Sequence, residues 1–277
     1  MALSNKVATI FGGTGFVGEQ IVRELAKLDY TVKVASRTPE KAYFLRPAGV
    51  VGQIVPVAYD PADPDSIKEI IKGSDCVFNC VGLLYEKGKA TFQKAHFPNA
   101  SILRPSLVFG PDDSFFNMFA SMALFLPALP LIGGGKTKFQ PVYVGDVADA
   151  AIRTITHPAY GGTNPQGRIY ELGGPEIVTF EEIYDRLFSV INRKRLKFPL
   201  PWGLAKLQAG IMSILPNPPL TPDQVVSLKT DNVVSDEAYK LEDLEIEPTG
   251  MSLILPTYLN RFRPGGRGKI LQDKVSS

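Results

Sequence analysis

Apolar and β-branched residues from Val7 to Phe11 read as a strand, and Gly12-Gly-Thr-Gly-Phe-Val-Gly18 breaks that run before helical spacing carries the chain to about Leu28. A second strand, Thr31 to Ala35, ends in Ser36-Arg37. A third, Gln53 to Ala58, leads into Tyr59-Asp60. Ser66 to Lys72 has helical spacing with Gly73 as its stop, and Asp75 to Val81 is a fourth strand, apolar enough to predict burial on both faces. Strands alternating with helices predict a parallel sheet with helices on both sides.

After that strand the pattern falters. A short helical piece, Ala90 to His96, runs directly into Phe97 to Pro111, which reads as another buried strand and a turn. Adjacent parallel strands need a crossover of roughly a dozen residues or more, and too few are present here. The expectation is that one strand-helix-strand-helix unit is missing between His96 and Phe97.

Farther on, Asp112 to Phe125 has a helical pattern, Gly133 to Lys136 a flexible turn, and Phe139 to Val144 a strand. Asp146 is placed to cap a helix reaching Thr156, so the Asp146 and Asp149 carboxylates read as capping and dipole compensation. Arg168 to Leu172 is the last clear strand. Thr179-Phe-Glu-Glu182 and Thr221-Pro-Asp-Gln224 are capping boxes. Leu204, Leu207, Ile211 and Leu215 share one helical face behind the basic run Arg193 to Lys197 and Trp202. Residues 193–215 therefore read either as a membrane-surface or subunit-docking element or as a buried helix of a small domain. The basic, glycine-rich tail from Asn260 to Lys269 reads as extended and suited to an acidic partner.

The fold class is thus α/β: a Rossmann-type doubly wound parallel sheet with a smaller mixed C-terminal domain. The expected division is a dinucleotide-binding domain over 1–158, with part of the small domain inserted near 112–138, and a second part over 159–277 holding the last sheet strand, the small domain and the tail.

Composition changes this picture little. The 277 residues are 44% hydrophobic, enough for a sizeable core, and a net charge of +2 gives no reason to expect nucleic acid. Cys76 and Cys80 lie four apart in one strand and read as buried thiols, and His96 and His157 form no metal constellation. No apolar run reaches the roughly 18 residues a membrane span needs. The strand beginning near the sixth residue leaves no room for a presequence, so the expectation is a cytoplasmic protein or the mature form of an organelle protein.

The candidate chemistry is nucleotide binding. A strand entering a glycine turn at a helix N-terminus presents backbone N–H groups and the positive end of a helix dipole to a pyrophosphate. Gly12 permits the turn, Gly15 admits the phosphates and Gly18 lets helix and strand pack, with Gly13, Thr14, Phe16 and Val17 completing the cradle. The second strand ends without the acidic residue that would bind a ribose 2′-hydroxyl. Ser36 and Arg37 suit a 2′-phosphate instead, which points to NADPH over NADH. Asp60 either touches the adenine edge or begins a turn. Cys80, Val81 and Gly82 end the fourth strand where ribose and nicotinamide would pass, and Pro105 would border the cofactor. Tyr85 either closes over the cofactor or packs locally. Tyr85-Glu-Lys-Gly-Lys89 has the Tyr-x-x-x-Lys spacing of a hydride-transfer site, but Gly88 interrupts any helix there, and no catalytic residue or metal ligand is assigned.

Several motifs carry a resemblance: Phe11 to Gly18, Asn79-Cys-Val-Gly82, Ile102-Leu-Arg-Pro-Ser106, Phe109-Gly-Pro111, Gln140 to Ala148 and Tyr170 to Pro175. Together they resemble the extended and atypical short-chain dehydrogenase/reductases over nearly the whole chain. Gly82-Leu-Leu-Tyr-Glu86, Asp223-Gln-Val and Lys229 to Ser235 are most similar to the nucleotide-binding accessory subunit of respiratory complex I and its bacterial relatives. That resemblance implies a non-catalytic role with NADPH held as a structural cofactor and other complex I subunits as partners, at the junction of peripheral and membrane arms near the quinone site. It also implies a peripheral place on the inner membrane, on the cytoplasmic side in a bacterium or the matrix side in a mitochondrion. The superfamily's usual Ser or Thr and Tyr-x-x-x-Lys unit is what the jump at His96 omits. The alternative is a reductase, epimerase or dehydratase acting on a sugar nucleotide or small carbonyl compound.

Overall fold

The structure, a computed structural model, describes residues 5–81, 100–156, 166–212 and 222–265. In chain order the first elements are β1 (Val7–Phe11), α1 (Phe16–Lys27), β2 (Thr31–Ser36), β3 (Ile54–Ala58), α2 (Pro64–Ile71) and β4 (Cys76–Asn79). Then come β5 (Ile102–Pro105), β6 (Val108–Phe109), α3 (Ser114–Phe125), β7 (Ala128–Ile132), β8 (Lys138–Phe139), β9 (Val142–Tyr143) and α4 (Val144–Thr156). The last are β10 (Ile169–Leu172), β11 (Val178–Thr179), α5 (Phe180–Val190), β12 (Leu196–Leu200), α6 (Trp202–Met212), α7 (Pro222–Ser227) and α8 (Met251–Leu259). The chain divides into two compact units. One holds Met1–Leu103, Val144–Tyr170 and Leu241–Ile246; the other holds Arg104–Tyr143, Glu171–Lys240 and Glu247–Ser277.

The first unit is built on a fully parallel sheet in the order β3-β2-β1-β4, the Rossmann arrangement the glycine turn calls for. Alternate residues of these strands face opposite ways. Ala8, Ile10, Val32, Val34, Ile54 and Phe78 pack against Ile21, Val22 and Leu25 of α1, Ala148, Ala151 and Ile152 of α4, and Ala42 and Leu45 of a 3-10 helix over Pro39–Ala48. On the other face Phe11 and Ala35 meet Ile70 of α2. β4 departs from its expected burial on both faces: Phe78 is buried, but Val77 is 48% exposed. Among the described residues β4 pairs only with β1, and the next strand, β5, pairs with β10.

α4 begins at Val144, two residues before Asp146, so Asp146 lies in the first helical turn and does not occupy the cap position. Its charge still opposes the helix dipole there. Burial pushes the nearby Asp149 carboxyl above its ordinary range, with Glu24 and Asp146 adding to the effect.

The second unit has its own core, where Phe116 and Phe119 of α3, Leu129 and Leu131 of β7, Phe180 and Tyr184 of α5 and Leu255 of α8 meet. Asp113 caps α3 by accepting from the Phe116 and Asn117 N–H groups, and the Tyr258 hydroxyl donates to the same buried carboxylate. Thr179 and Glu182 form both halves of the capping box of α5, as their spacing predicts. The strand expected over Phe139 to Val144 is two short pieces, β8 and β9, which pair with β11 and β6. Gly133, Gly134 and Gly135 all have positive φ, and a Cβ on Gly133 would lie 2.0 Å from the Trp202 ring. That turn is therefore a tightly fitted corner, against the flexible one expected.

Three features escaped sequence reading. β7 and β12 pair in parallel across a sequence separation no local pattern reveals. α6 buries Ala205 and Ala209, which turns Leu204 and Leu207 outward at 57% and 63% exposure. Finally, Asn260–Phe262 forms a 3-10 turn after α8, and Arg193 Nε donates to the Phe262 carbonyl while Arg263 Nε donates to that of Val190. This part of the tail is pinned, not extended. Thr221, Leu215, the helical piece over 90–96 and the rest of the tail lie outside the described residues.

Candidate nucleotide site

The site is organised by the carboxyl ends of the parallel strands. Cys80 N–H bonds the Phe11 carbonyl, and Tyr59 N–H bonds that of Ser36, so the chain leaves β4, β1, β2 and β3 side by side. Gly12 has φ +75, and a Cβ there would lie 2.8 Å from the Cys80 carbonyl carbon: both conformation and space demand glycine. Gly15 N–H closes the turn onto the Gly12 carbonyl at 3.0 Å, and the Gly15 carbonyl accepts the first helical bond, from Glu19. A Cβ on Gly18 would fall 2.3 Å from the Gly12 oxygen, so strand and helix approach only because it is absent.

Gly15 is the N-cap of α1 and no side chain caps that end. Thr14 and Gly15 are exposed, and a Cβ on Gly15 would meet only the Gly12 oxygen, 3.3 Å away, with its outer side open. The geometry is a cradle of free N–H groups with glycine where an anion must come closest, which fits a pyrophosphate. Gly13 is buried, its missing Cβ leaving room for Val34 Cγ1 at 3.0 Å, so it offers a ligand only its backbone. Phe16 and Val17 are the first two residues of α1, half-buried.

At the end of β2 the Ser36 hydroxyl donates to the Thr38 carbonyl at 3.0 Å and accepts from its N–H at 3.2 Å. It shapes the turn that exposes Arg37, whose guanidinium has no partner among the described residues. Asp60, for which two roles were open, accepts from the Ala62 N–H at 2.8 Å, and its own N–H bonds Ser66 Oγ. It begins a turn. Burial pushes the Cys80 thiol up to about 11, so it presents a neutral S–H at the end of β4, and Val81 beyond it is 46% exposed. Gly82 and Tyr85 lie outside the described residues, as do Lys89 and both histidines. Pro105 ends β5 and belongs to the second unit.

Two residues of this edge were given no role of their own from sequence. Asn79 Oδ1 accepts from the Val81 N–H at 3.1 Å and sets the turn after β4; an Asn at a strand end is the available signal. Tyr59 packs edge-on against Phe11, the last residue of β1, ring centroids 5.1 Å apart.

Residues 12–100 match a family model described as NAD(P)H-binding. NADH dehydrogenase (ubiquinone) 1 alpha subcomplex subunit 9, mitochondrial, from Arabidopsis thaliana is 30% identical over 99% of this chain and 83% of that protein. The chain belongs to the subunit 9 family. The family member of Rattus norvegicus is 27% identical over 95% of this chain and 82% of its own length. The fold is also that of a UDP-glucuronic acid 4-epimerase from Bacillus cereus, solved with UDP-glucuronic acid and NAD. That structure matches at a TM-score of 0.57 and 16% identity, over 91% of this chain and 98% of the epimerase. The alignment with the Arabidopsis subunit 9 runs over 336 positions against 277 residues here, which leaves at least 59 positions (336 − 277) with no residue of this chain opposite.

Proposed function

We propose that this chain holds NADPH in the cradle of Gly12 to Gly18 and serves, without turning it over, as an accessory subunit of a respiratory NADH:quinone oxidoreductase. The near full-length match to subunit 9 proteins carries this reading. Bound NADPH would bring a hydride donor. In this role the chain's own residues retain it: the α1 N-terminus holds the pyrophosphate, Arg37 the 2′-phosphate, and Cys80 and Val81 flank the path of the nicotinamide half. Gly82, Tyr85 and Pro105 remain assigned to the cofactor on sequence grounds.

The outward face of the second unit supports a docking role for residues 193–215. Leu196 and Phe198 of β12 are 74% and 44% exposed, next in sequence to the Leu204 and Leu207 face of α6. No described helix is long and apolar enough to cross a membrane. The reading therefore places the protein peripherally on the inner membrane, at the junction of the two arms near the quinone site. Purification from solubilised membranes tests it. Co-migration with the oxidoreductase, carrying NADPH that is not oxidised during turnover, is the expected result; a free protein whose NADPH is consumed by a carbonyl substrate overturns it.

The fold shared with sugar-nucleotide enzymes favours a second reading, an NADP-dependent reductase, epimerase or dehydratase. The two part at one feature, a Ser or Thr with Tyr-x-x-x-Lys between His96 and Phe97 in the native protein. The unmatched alignment positions leave room for an inserted segment of that size, and among the described residues β4 pairs only with β1.

A further inference from the structure

The connection between the 3-10 helix and β3 ends in an exposed apolar tip. Ala42 and Leu45 are buried, but Tyr43 and Phe44 are 46% and 51% exposed, and the turn that follows adds Val50 at 57% and a fully exposed Val51. A turn between Gly49 and Gly52 asks for polar residues, not two β-branched apolar ones. The tip is also tied to the rest of its unit by hydrogen bonds. Buried Gln53 accepts from the Val50 N–H at 2.9 Å and donates to the Ala26 and Tyr30 carbonyls at 2.7 and 3.1 Å, bolting the turn to the end of α1. Beside it the Arg46 guanidinium stacks 4.3 Å over the Tyr43 ring, exposed, with no carboxylate partner among the described residues.

We propose that Val50 and Val51, flanked by Tyr43, Phe44 and Arg46, form a docking knob for another protein subunit whose surface offers an apolar socket rimmed by carboxylates. The proposal rests on the subunit reading above. A pre-organised tip loses little conformational freedom on binding, which rewards a shaped protein socket more than a fluid lipid surface. Tyr, Phe and Arg are the residues that protein interfaces concentrate. Between Thr38 and Gln53 the exposed charges are Lys41 and Arg46 against Glu40, so an acidic rim complements the patch.

The test replaces the native chain in its own cells by Val51→Asp or Val51→Ser and measures the fraction co-migrating with the oxidoreductase on native gels. Both side chains suit an exposed turn, so the free variants are expected to keep the melting temperature and NADPH of the wild type. Val51→Asp is expected to lower the incorporated fraction by about tenfold or more, as for loss of an interface anchor, and Val51→Ser to act in the same direction. Incorporation at the wild-type level overturns the knob. So does unchanged incorporation with lost flotation on vesicles of phosphatidylglycerol and phosphatidylcholine, which would give the tip to lipid. Failure of the wild-type chain itself to co-migrate removes the subunit reading, and the knob with it.

Discussion

Gly15 and Gly18 impose different demands on one turn. A methyl group on Gly18 would strike the Gly12 carbonyl, whereas one on Gly15 would project mainly into the space a phosphate needs. Gly15→Ala is therefore expected to leave the melting temperature of the nucleotide-free protein near that of the wild type while abolishing the stabilisation NADPH gives, a comparison made by thermal melts with and without nucleotide. With Arg37 holding the 2′-phosphate as proposed above, Arg37→Asp should weaken NADP(H) relative to NAD(H) by about tenfold to a hundredfold, the loss of a charged hydrogen bond, as read by calorimetry. Equal effects on both would contradict its assignment to the 2′-phosphate. Asp149 gives a pH dependence. Its folded-state pKa is raised by burial and by Glu24 and Asp146, so its contribution favours folding most below the ordinary carboxylate value and is lost as pH rises through the raised one. Asp149→Asn should accordingly be more stable than the wild type in urea at pH 7, with the gap closing towards pH 4. The glycine turn was legible in the sequence because its requirements are local. The role of Ser36 was not, because its hydroxyl is taken up by the Thr38 backbone that only the folded turn brings to it, whereas the turn at Asp60 was one of the two readings its sequence left open.

At the scale of elements, α6 shows how periodicity underdetermines a helix. Ala205 and Ala209 form one apolar stripe, Leu204 and Leu207 another, and the protein buries the smaller one. Small residues let the helix lie close to its neighbours, and the leucines stay exposed, as the docking role proposed for residues 193–215 requires. Leu207→Glu should thus leave the melting temperature of the isolated protein unchanged and reduce its recovery with membranes in a sedimentation assay; an unchanged recovery would remove α6 from the docking surface. The capping box of α5 shows the opposite case. Thr179 and Glu182 cap the helix within three residues of each other, so its start could be read directly. β12 could not: Pro199 and the basic run before it hide a strand whose partner, β7, lies some 70 residues away.

For the whole molecule, the outer edge of β4, which pairs only with β1 among the described residues, is the main tension. An outer strand with an exposed Val77 invites association with other chains unless something covers it. The inserted unit would supply a neighbouring strand and a helix over that face. Peptide mapping of the native protein by mass spectrometry is expected to find residues between His96 and Phe97; a peptide reading directly from one to the other would rule the unit out. The sequence by itself determined that a nucleotide-binding α/β unit exists and where its turn lies. Gly12, Gly15 and Gly18 answer to backbone conformation and close approach, and the strand-helix alternation from Val7 to Asn79 answers to burial periods of two and 3.6 residues, all of which are written locally. Tertiary structure alone decided which stripe of α6 faces outward, that β7 and β12 pair, and that Val50 and Val51 stand on a turn bolted to α1. Each of those outcomes depends on which distant surface an element meets, and an apolar residue has the same signature in the sequence whether the surface it meets lies in its own core or on a partner.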